Sequence, residues 1–196
     1  MERDMPELSW ENVEEEIHGC NRCGLCKRRS SIVLGEGNRD ADILFVGEGP
    51  GGDEDRIGRP FVGKAGQLLD RMIAAIDMKR EDLYITNIVK CRPPGNRTPL
   101  DEEAQTCLPV LRKQYALIRP KIVVCLGATA AKYLYDPDVR ITRMHGSWVE
   151  KCGVWFMPTY HPAALLRDES KKRDAWEDLQ SLAEKYKEIR NAGKGK

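Results

Sequence analysis

Seven cysteines stand in a chain of 196 residues, and their spacing is uneven. Cys20 and Cys23 form a C-x-x-C pair, with Cys26 close behind, and Cys91 and Cys107 lie far downstream. A C-x-x-C pair plus two further cysteines supplies four thiolates, the donor set of either a zinc site or an iron–sulfur cluster. Spacing alone does not separate the two metals. Nor does it choose between Cys23 and Cys26 as the partner of Cys20, and the bland alternative is a set of unliganded thiols. Cys125 sits inside an apolar run and reads as a small buried hydrophobe. Cys152 falls at a turn and carries no assigned role.

A second group of residues surrounds the stretch GEGPGGDEDRIGRPFVGKAGQLLD at 47–70. Its first six residues satisfy G-x-G-x-x-G, and Asp70 lies about where a ribose-binding acid would follow. The dinucleotide reading has three faults. That fingerprint needs a helix opening within the glycines, whereas here a loop of about a dozen residues is expected first. Glu48, Asp53, Glu54 and Asp55 would repel pyrophosphate, and Pro50 removes a backbone donor. Acids in such a loop suit a neutral or cationic ligand, or work on water. Phe61 is either a core residue anchoring the loop or a stacking face for a planar ligand.

Three more polar residues fall on expected strand-end loops. Asn87 ends a strand, as a simple cap or as a reader: a carboxamide donates from NH2 and accepts at oxygen. Uracil presents O4 and N3–H to such a group, and cytosine presents the opposite pattern. Sites built this way reject the wrong base by factors on the order of 10⁴. Asn96 lies between Gly95 and Arg97, where ordinary turn chemistry competes with function. His161 follows a strand and precedes Pro162; a lone histidine is more often structural, but its loop position favours function. Leu165 and Leu166, with Arg167 behind them, make an apolar tip able to wedge into a base stack while the arginine holds a phosphate. The competing reading is a helical turn packed on the core.

The elements that must position these residues alternate. Ser9 is expected to cap a helix over 9–18. ADILFVGEG is a buried strand entering the glycine loop, GKAGQLLDRMIAAIDM a helix, DLYITNIVK a strand and CRPPGNRTPL a loop. Thr98-Pro99-x-Asp101 announces a helix to about residue 118, with Thr98 as its capping hydroxyl. KIVVCLG is a third strand, ATAAKYLY a short helix, and GSWVEKCGVWFMPTYHP one or two strands. KRDAWEDLQSLAEKYKEIR is an amphipathic C-terminal helix. Such alternation predicts an α/β sandwich on a mainly parallel sheet, with ligands outside the carboxyl ends of its strands. A single domain over 1–196 is expected, with tails at 1–8 and 191–196. Net charge is +1, so no global basic field points to nucleic acid. Local clusters at 26–30, at Lys90, Arg92 and Arg97, and over 167–173 fit either a phosphate patch or a solvated face. No apolar run is long enough to span a membrane, and the N-terminus has no apolar signal core, so a cytoplasmic protein is expected.

Together, CNRC, GEGPG…ED…GRPFVGKAGQLLD, YITNIVKCRPPGNRTP, the cysteine at 107 and HPAALLR resemble the family 4 uracil-DNA glycosylases, the iron–sulfur class of bacteria and archaea. The likeness covers about residues 20–167. It implies a three-layer α/β/α sandwich on a four-stranded parallel sheet, and a 4Fe–4S cluster on Cys20, Cys23, Cys91 and Cys107, with Cys26 a bystander. It implies further that Phe61 stacks on a flipped uracil, Asn87 reads its edge, and His161 faces O2. Glu48 and Asn96 would place or polarise the water, with Gly49 and Glu54 lining the pocket. Lys64, Leu165 and Arg167 would hold the DNA. Family 1 enzymes carry an aspartate and a tyrosine where this motif has Gly49 and Gly51, so water activation and thymine exclusion are handled otherwise. VKCRPPGNRTPL lacks the histidine-bearing insertion of a related subgroup that traps the sugar covalently, so turnover by hydrolysis is expected. A monomer acting on uracil-containing DNA follows; no signal for a sliding clamp is readable. Two rivals remain, an iron–sulfur electron carrier and a non-catalytic damage-sensing module.

Overall fold

The computed structural model describes residues 8–194; the expected N-terminal tail lies, apart from Leu8, outside them. The apolar runs form the middle of a six-stranded sheet. In chain order the strands are β1 (Glu36–Gly37), β2 (Ile43–Gly47), β3 (Tyr84–Asn87), β4 (Ile122–Leu126), β5 (Val149–Lys151) and β6 (Val154–Thr159). Their spatial order is β1-β3-β2-β4-β6-β5. β3, β2, β4 and β6 are mutually parallel, while β1 and β5 pair antiparallel at the two edges. The expected four parallel strands are therefore the centre of a mixed sheet. The edge strand β1 escaped the sequence reading because it is two residues long; the stretch read as one or two strands forms two, β5 and β6, a hairpin turning at Cys152 and Gly153, both at positive φ.

Every residue of β2, β3 and β4 is buried, as expected of parallel strands covered on both faces. Alternate side chains feed two apolar layers. Leu44, Val46, Val123 and Cys125 face α4 (Asp101–Ile118) and α5 (Ala128–Leu134). Ile43, Phe45, Val124 and Met157 face α3 (Lys64–Ala74), α7 (Pro162–Arg167) and α8 (Lys172–Lys194). Cys125 is a core residue, as expected, and burial pushes its thiol up to about 12. The N-terminal α1 (Trp10–Ile17), capped by Ser9 through Asn12 N–H at 3.2 Å, packs on α4.

Three local expectations are corrected. A six-residue helix, α2 (Gly52–Ile57), does open within the glycine stretch and ends at Gly58 in the left-handed conformation. Thr98 does not cap α4; that helix starts at Asp101, and the Glu103 carboxylate takes the Leu100 N–H at 2.8 Å while pairing with Arg97. The C-terminal helix runs on to Lys194, so residues 191–194 are helical rather than tail. A further short helix, α6 (Ile141–Met144), lies before β5.

Candidate active site

The chain turns back on itself between β2 and β4: β3 is added on one side, β4 and β6 on the other. A crevice forms at such a switch point, beyond the carboxyl ends of the strands. Here it is a cavity of about 540 Å³ walled by the segments that follow β2, β3, β4 and β6. Glu48, Gly49, Glu54, Phe61, Asn87, Asn96, His161 and Arg167 all line it.

Asn87 is the last residue of β3 and is 1 % exposed, yet its side-chain Oδ1 has no hydrogen-bond partner. A buried carbonyl without a donor is costly unless a ligand supplies one. Room for the amide comes from Gly47, its register partner: a Cβ there would stand 2.5 Å from both Asn87 Oδ1 and Phe61 Cζ. Phe61 sits at φ 52° with its ring 5.5 Å from the His161 ring, the planes 30° apart. Its backbone is pinned from two sides. Gly66 has no Cβ to strike the Phe61 carbonyl, which would be 1.8 Å away. Arg80 donates to the carbonyls of Pro60 and Phe61 at 2.6 and 3.3 Å, and is itself held by Asp70 at 2.7 Å and Glu36 at 3.3 Å. Asp70, which sits where a ribose acid would in a dinucleotide fold, thus serves to orient Arg80.

His161 caps α7, its Nδ1 accepting the Ala163 N–H at 3.1 Å. That bond assigns the proton of the neutral ring to Nε2. Burial, helped by the Arg167 guanidinium and opposed by Glu54, pushes its pKa down to about 4. The ring therefore offers an N–H donor without a positive charge at neutral pH. Glu48 accepts from the hydroxyl of Thr129, in the first turn of α5, a residue the sequence reading missed. Its signal was position alone, at the start of the helix that follows the third long strand.

The acidic loop is corrected. Glu54 takes the N–H groups of Val62 and Gly63 at 2.9 Å each and that of Gly51 at 3.1 Å, clamping the glycine loop to the start of α3. Asp55 is buried on the N–H groups of Ser30 and Ser31, and Asp53 pairs with Arg56. Of the four acids, Glu48 alone lines the cavity without being committed to backbone N–H groups or an arginine. Asn96, at φ 55° on the rim, accepts from Arg92 at 2.9 Å. Lys64 is exposed beside the cavity-lining Ala65. The expected wedge is also corrected: Leu165 is 2 % exposed and belongs to the core, whereas Leu166 is 43 % exposed. The helical turn of α7 points the first inward onto α3 and the second outward.

Cys20, Cys23, Cys26, Cys91 and Cys107 line one small cavity on the other side of β3, all as free thiols. Arg22 donates to the Cys20 sulfur and Arg29 to the Cys91 sulfur, each at 3.3 Å, and the Lys90 backbone N–H bonds the Cys107 sulfur. Cys91 and Cys107 lie within electrostatic reach of each other and of Cys23, and Cys107 also of Cys20. Among the described residues, no three histidine, cysteine or carboxylate side chains are placed to hold a single metal ion. Lys90 also lines this cavity; it is 0 % exposed, and among the described residues its ammonium has no carboxylate partner. Burial pushes it down to about 7, opposed by Cys107. A thiol set beside a buried cation without a counter-charge fits a net-negative, thiolate-ligated group.

This sheet and crevice define a class. The profile of the uracil DNA glycosylase superfamily matches residues 34–180. The chain is 45 % identical over 174 residues to the type-4 uracil-DNA glycosylase of Thermotoga maritima, covering 87 % of this chain and 91 % of that one. It is 42 % identical over 184 residues to the type-4 enzyme of Archaeoglobus fulgidus, covering 90 % and 92 %. A type-5 uracil-DNA glycosylase of Pyrobaculum aerophilum is 34 % identical over 148 residues, covering 66 % and 64 %. The chain belongs to the type 4 uracil-DNA glycosylases.

Proposed function

We propose that this protein removes uracil from DNA by hydrolysing the bond between C1′ of the sugar and N1 of the base, leaving an abasic site. The observation that carries the reading is the buried, unpartnered Oδ1 of Asn87 in one cavity with the Phe61 ring and the His161 Nε2–H. Uracil swung out of the stack, at a cost of a few kcal/mol, lies against Phe61. Asn87 accepts N3–H and donates to O4. As the glycosidic bond breaks, its electron pair moves into the base and charge gathers on O2, where His161 donates from Nε2. Glu48, steadied by Thr129, aligns a water and takes its proton as the oxygen joins C1′. Asn96 helps place that water from the rim, and Gly49 lets the base approach the backbone. Glu54 acts by holding the loop. Lys64 and Arg167 bind phosphates, and Leu166 rather than Leu165 fills the vacated stack.

The cysteine cavity carries a 4Fe–4S cluster on Cys20, Cys23, Cys91 and Cys107. That cluster supplies no chemistry to the base and ties the N-terminal segment to the loop bearing Asn96. Five thiols gathered on one cavity support a thiolate-ligated group there, and the choice of these four over Cys26 follows the resemblance to the family. No histidine lies in 88–100 to trap the sugar, which supports release by water. A monomer is the form in which it is expected to act. No described helix is long and apolar enough to cross a membrane, in keeping with work on DNA in the cytoplasm.

Single-turnover release of uracil from a duplex oligonucleotide tests the reading. His161→Ala is expected to lose roughly 10²–10³-fold, and Asn87→Asp to shift preference from uracil toward cytosine. Wild-type rates in both variants would overturn it. Binding without release would instead support a sensing module.

A further inference from the structure

Lys90 is the only fully buried cation among the described residues. Its ammonium donates to Thr86 Oγ1 at 2.6 Å and to the backbone carbonyl of Asn87 at 2.7 Å. Thr86 spends its own hydroxyl hydrogen on the Leu34 carbonyl at 2.7 Å, so its oxygen is free to accept. On its other side Lys90 lines the cysteine cavity, and its backbone N–H bonds the Cys107 sulfur. One residue therefore touches both the cysteine site and the peptide that carries the carboxamide.

We propose that Lys90 is a positioning residue coupling the cysteine site to base reading. The Lys90 side chain reaches Thr86 Oγ1 and the Asn87 carbonyl from a residue that also lines the cysteine cavity, so its hold on that carbonyl depends on how the cavity wall is supported. With a thiolate-ligated group in the cavity the ammonium is held in place, and it fixes the Asn87 carbonyl where β3 ends. The peptide so fixed aims the carboxamide. With the cavity wall unsupported, the Lys90 side chain loses its hold on that carbonyl, and the carboxamide loses its register against the base. The cysteine site then governs how well uracil is told from cytosine, besides holding the N-terminal segment.

The inference rests on the reading of Asn87 given above, and the test keeps the two apart. Lys90→Met fills the same space without donors. The holoprotein of this variant, with iron counted and visible absorbance recorded, is compared with wild type by two readouts: the inhibition constant of free uracil, and the ratio of uracil to cytosine excision. Both are expected to worsen by roughly tenfold, the scale of one lost charge-assisted hydrogen bond, with KM rising more than kcat falls. An iron-replete Lys90→Met protein with wild-type inhibition and discrimination overturns the proposal. Should Lys90→Met not retain iron, Thr86→Val, which removes one acceptor of the ammonium, is measured in the same way. A shift in the same direction supports the coupling and no shift overturns it. Asn87→Asp serves as the control. If it leaves base preference untouched, the reading of Asn87 has failed, whereas its effect together with a silent Lys90→Met fails the coupling alone.

Discussion

At the scale of single residues, the site relies on groups made unlike their solvent-exposed counterparts. His161 is uncharged at neutral pH because burial disfavours its imidazolium, with a pKa near about 4. The pH–rate profile is therefore expected to show no inflection near the ordinary histidine value, about 6.5, and an acid limb from this residue only as pH approaches 4. The same shift has a stability consequence. The unfolded chain binds a proton at this position that the folded chain refuses, so the contribution of His161 is fully present above about 6.5 and is lost as pH falls through about 4. Thermal denaturation of wild type and His161→Gln across that range measures it; the two curves should diverge toward neutral pH. Asn87 and His161 were legible in the sequence as odd residues at strand ends, and Phe61 as a large aromatic in an otherwise polar loop. Thr129 and Arg80 were not, since what marks them is a neighbour 81 positions away for the first and 19 to 44 for the second. The carboxylates of Glu54 and Asp55 looked alike in the sequence; Glu54 lines the cavity as expected and also staples backbone N–H groups, whereas Asp55 is a buried staple alone, because nothing local shows which N–H groups a fold leaves unsatisfied.

At the scale of elements, the loop bearing Phe61 is a small machine held at both ends. Gly66→Ala drives a methyl into the Phe61 carbonyl and is expected to destabilise by about 1–3 kcal/mol while displacing the ring. Arg80→Met frees two carbonyls and should raise KM for uracil DNA several-fold more than it lowers kcat. Steady-state kinetics beside a denaturation curve separate stability from placement. Helix α7 supplies a sharper contrast. Successive residues on a helix lie about 100° apart, so of two adjacent leucines one faces the core and the other does not. Leu165→Ala is expected to cost about 2–5 kcal/mol of stability. Leu166→Ala should leave stability within about 0.5 kcal/mol but slow excision from duplex more than from single strands. The pattern HPAALLR announced an apolar tip; only the phase of the helix, fixed by its packing on α3, says which leucine forms it.

At the scale of the whole molecule, the apolar runs of β2, β3 and β4 made the parallel centre of the sheet readable, while β1 is too short for any periodicity. The near-neutral net charge says nothing of a local field: Lys64 and Arg167 stand exposed at the cavity and make no ion pair among the described residues. Affinity for DNA is expected to fall with salt, and Arg167→Ala to reduce the slope of log K against log salt by about 0.9 for duplex, measured by titration at several ionic strengths. The order in which the strands occur along the chain has a last consequence. Cys20, Cys23, Cys91 and Cys107 all precede β4, the strand that completes the middle of the sheet, and His161 comes later still. As the ribosome delivers the chain, all four of these thiols are made before the crevice has its far wall, so the cluster proposed for them could be fitted to a nascent protein that is not yet able to touch a base.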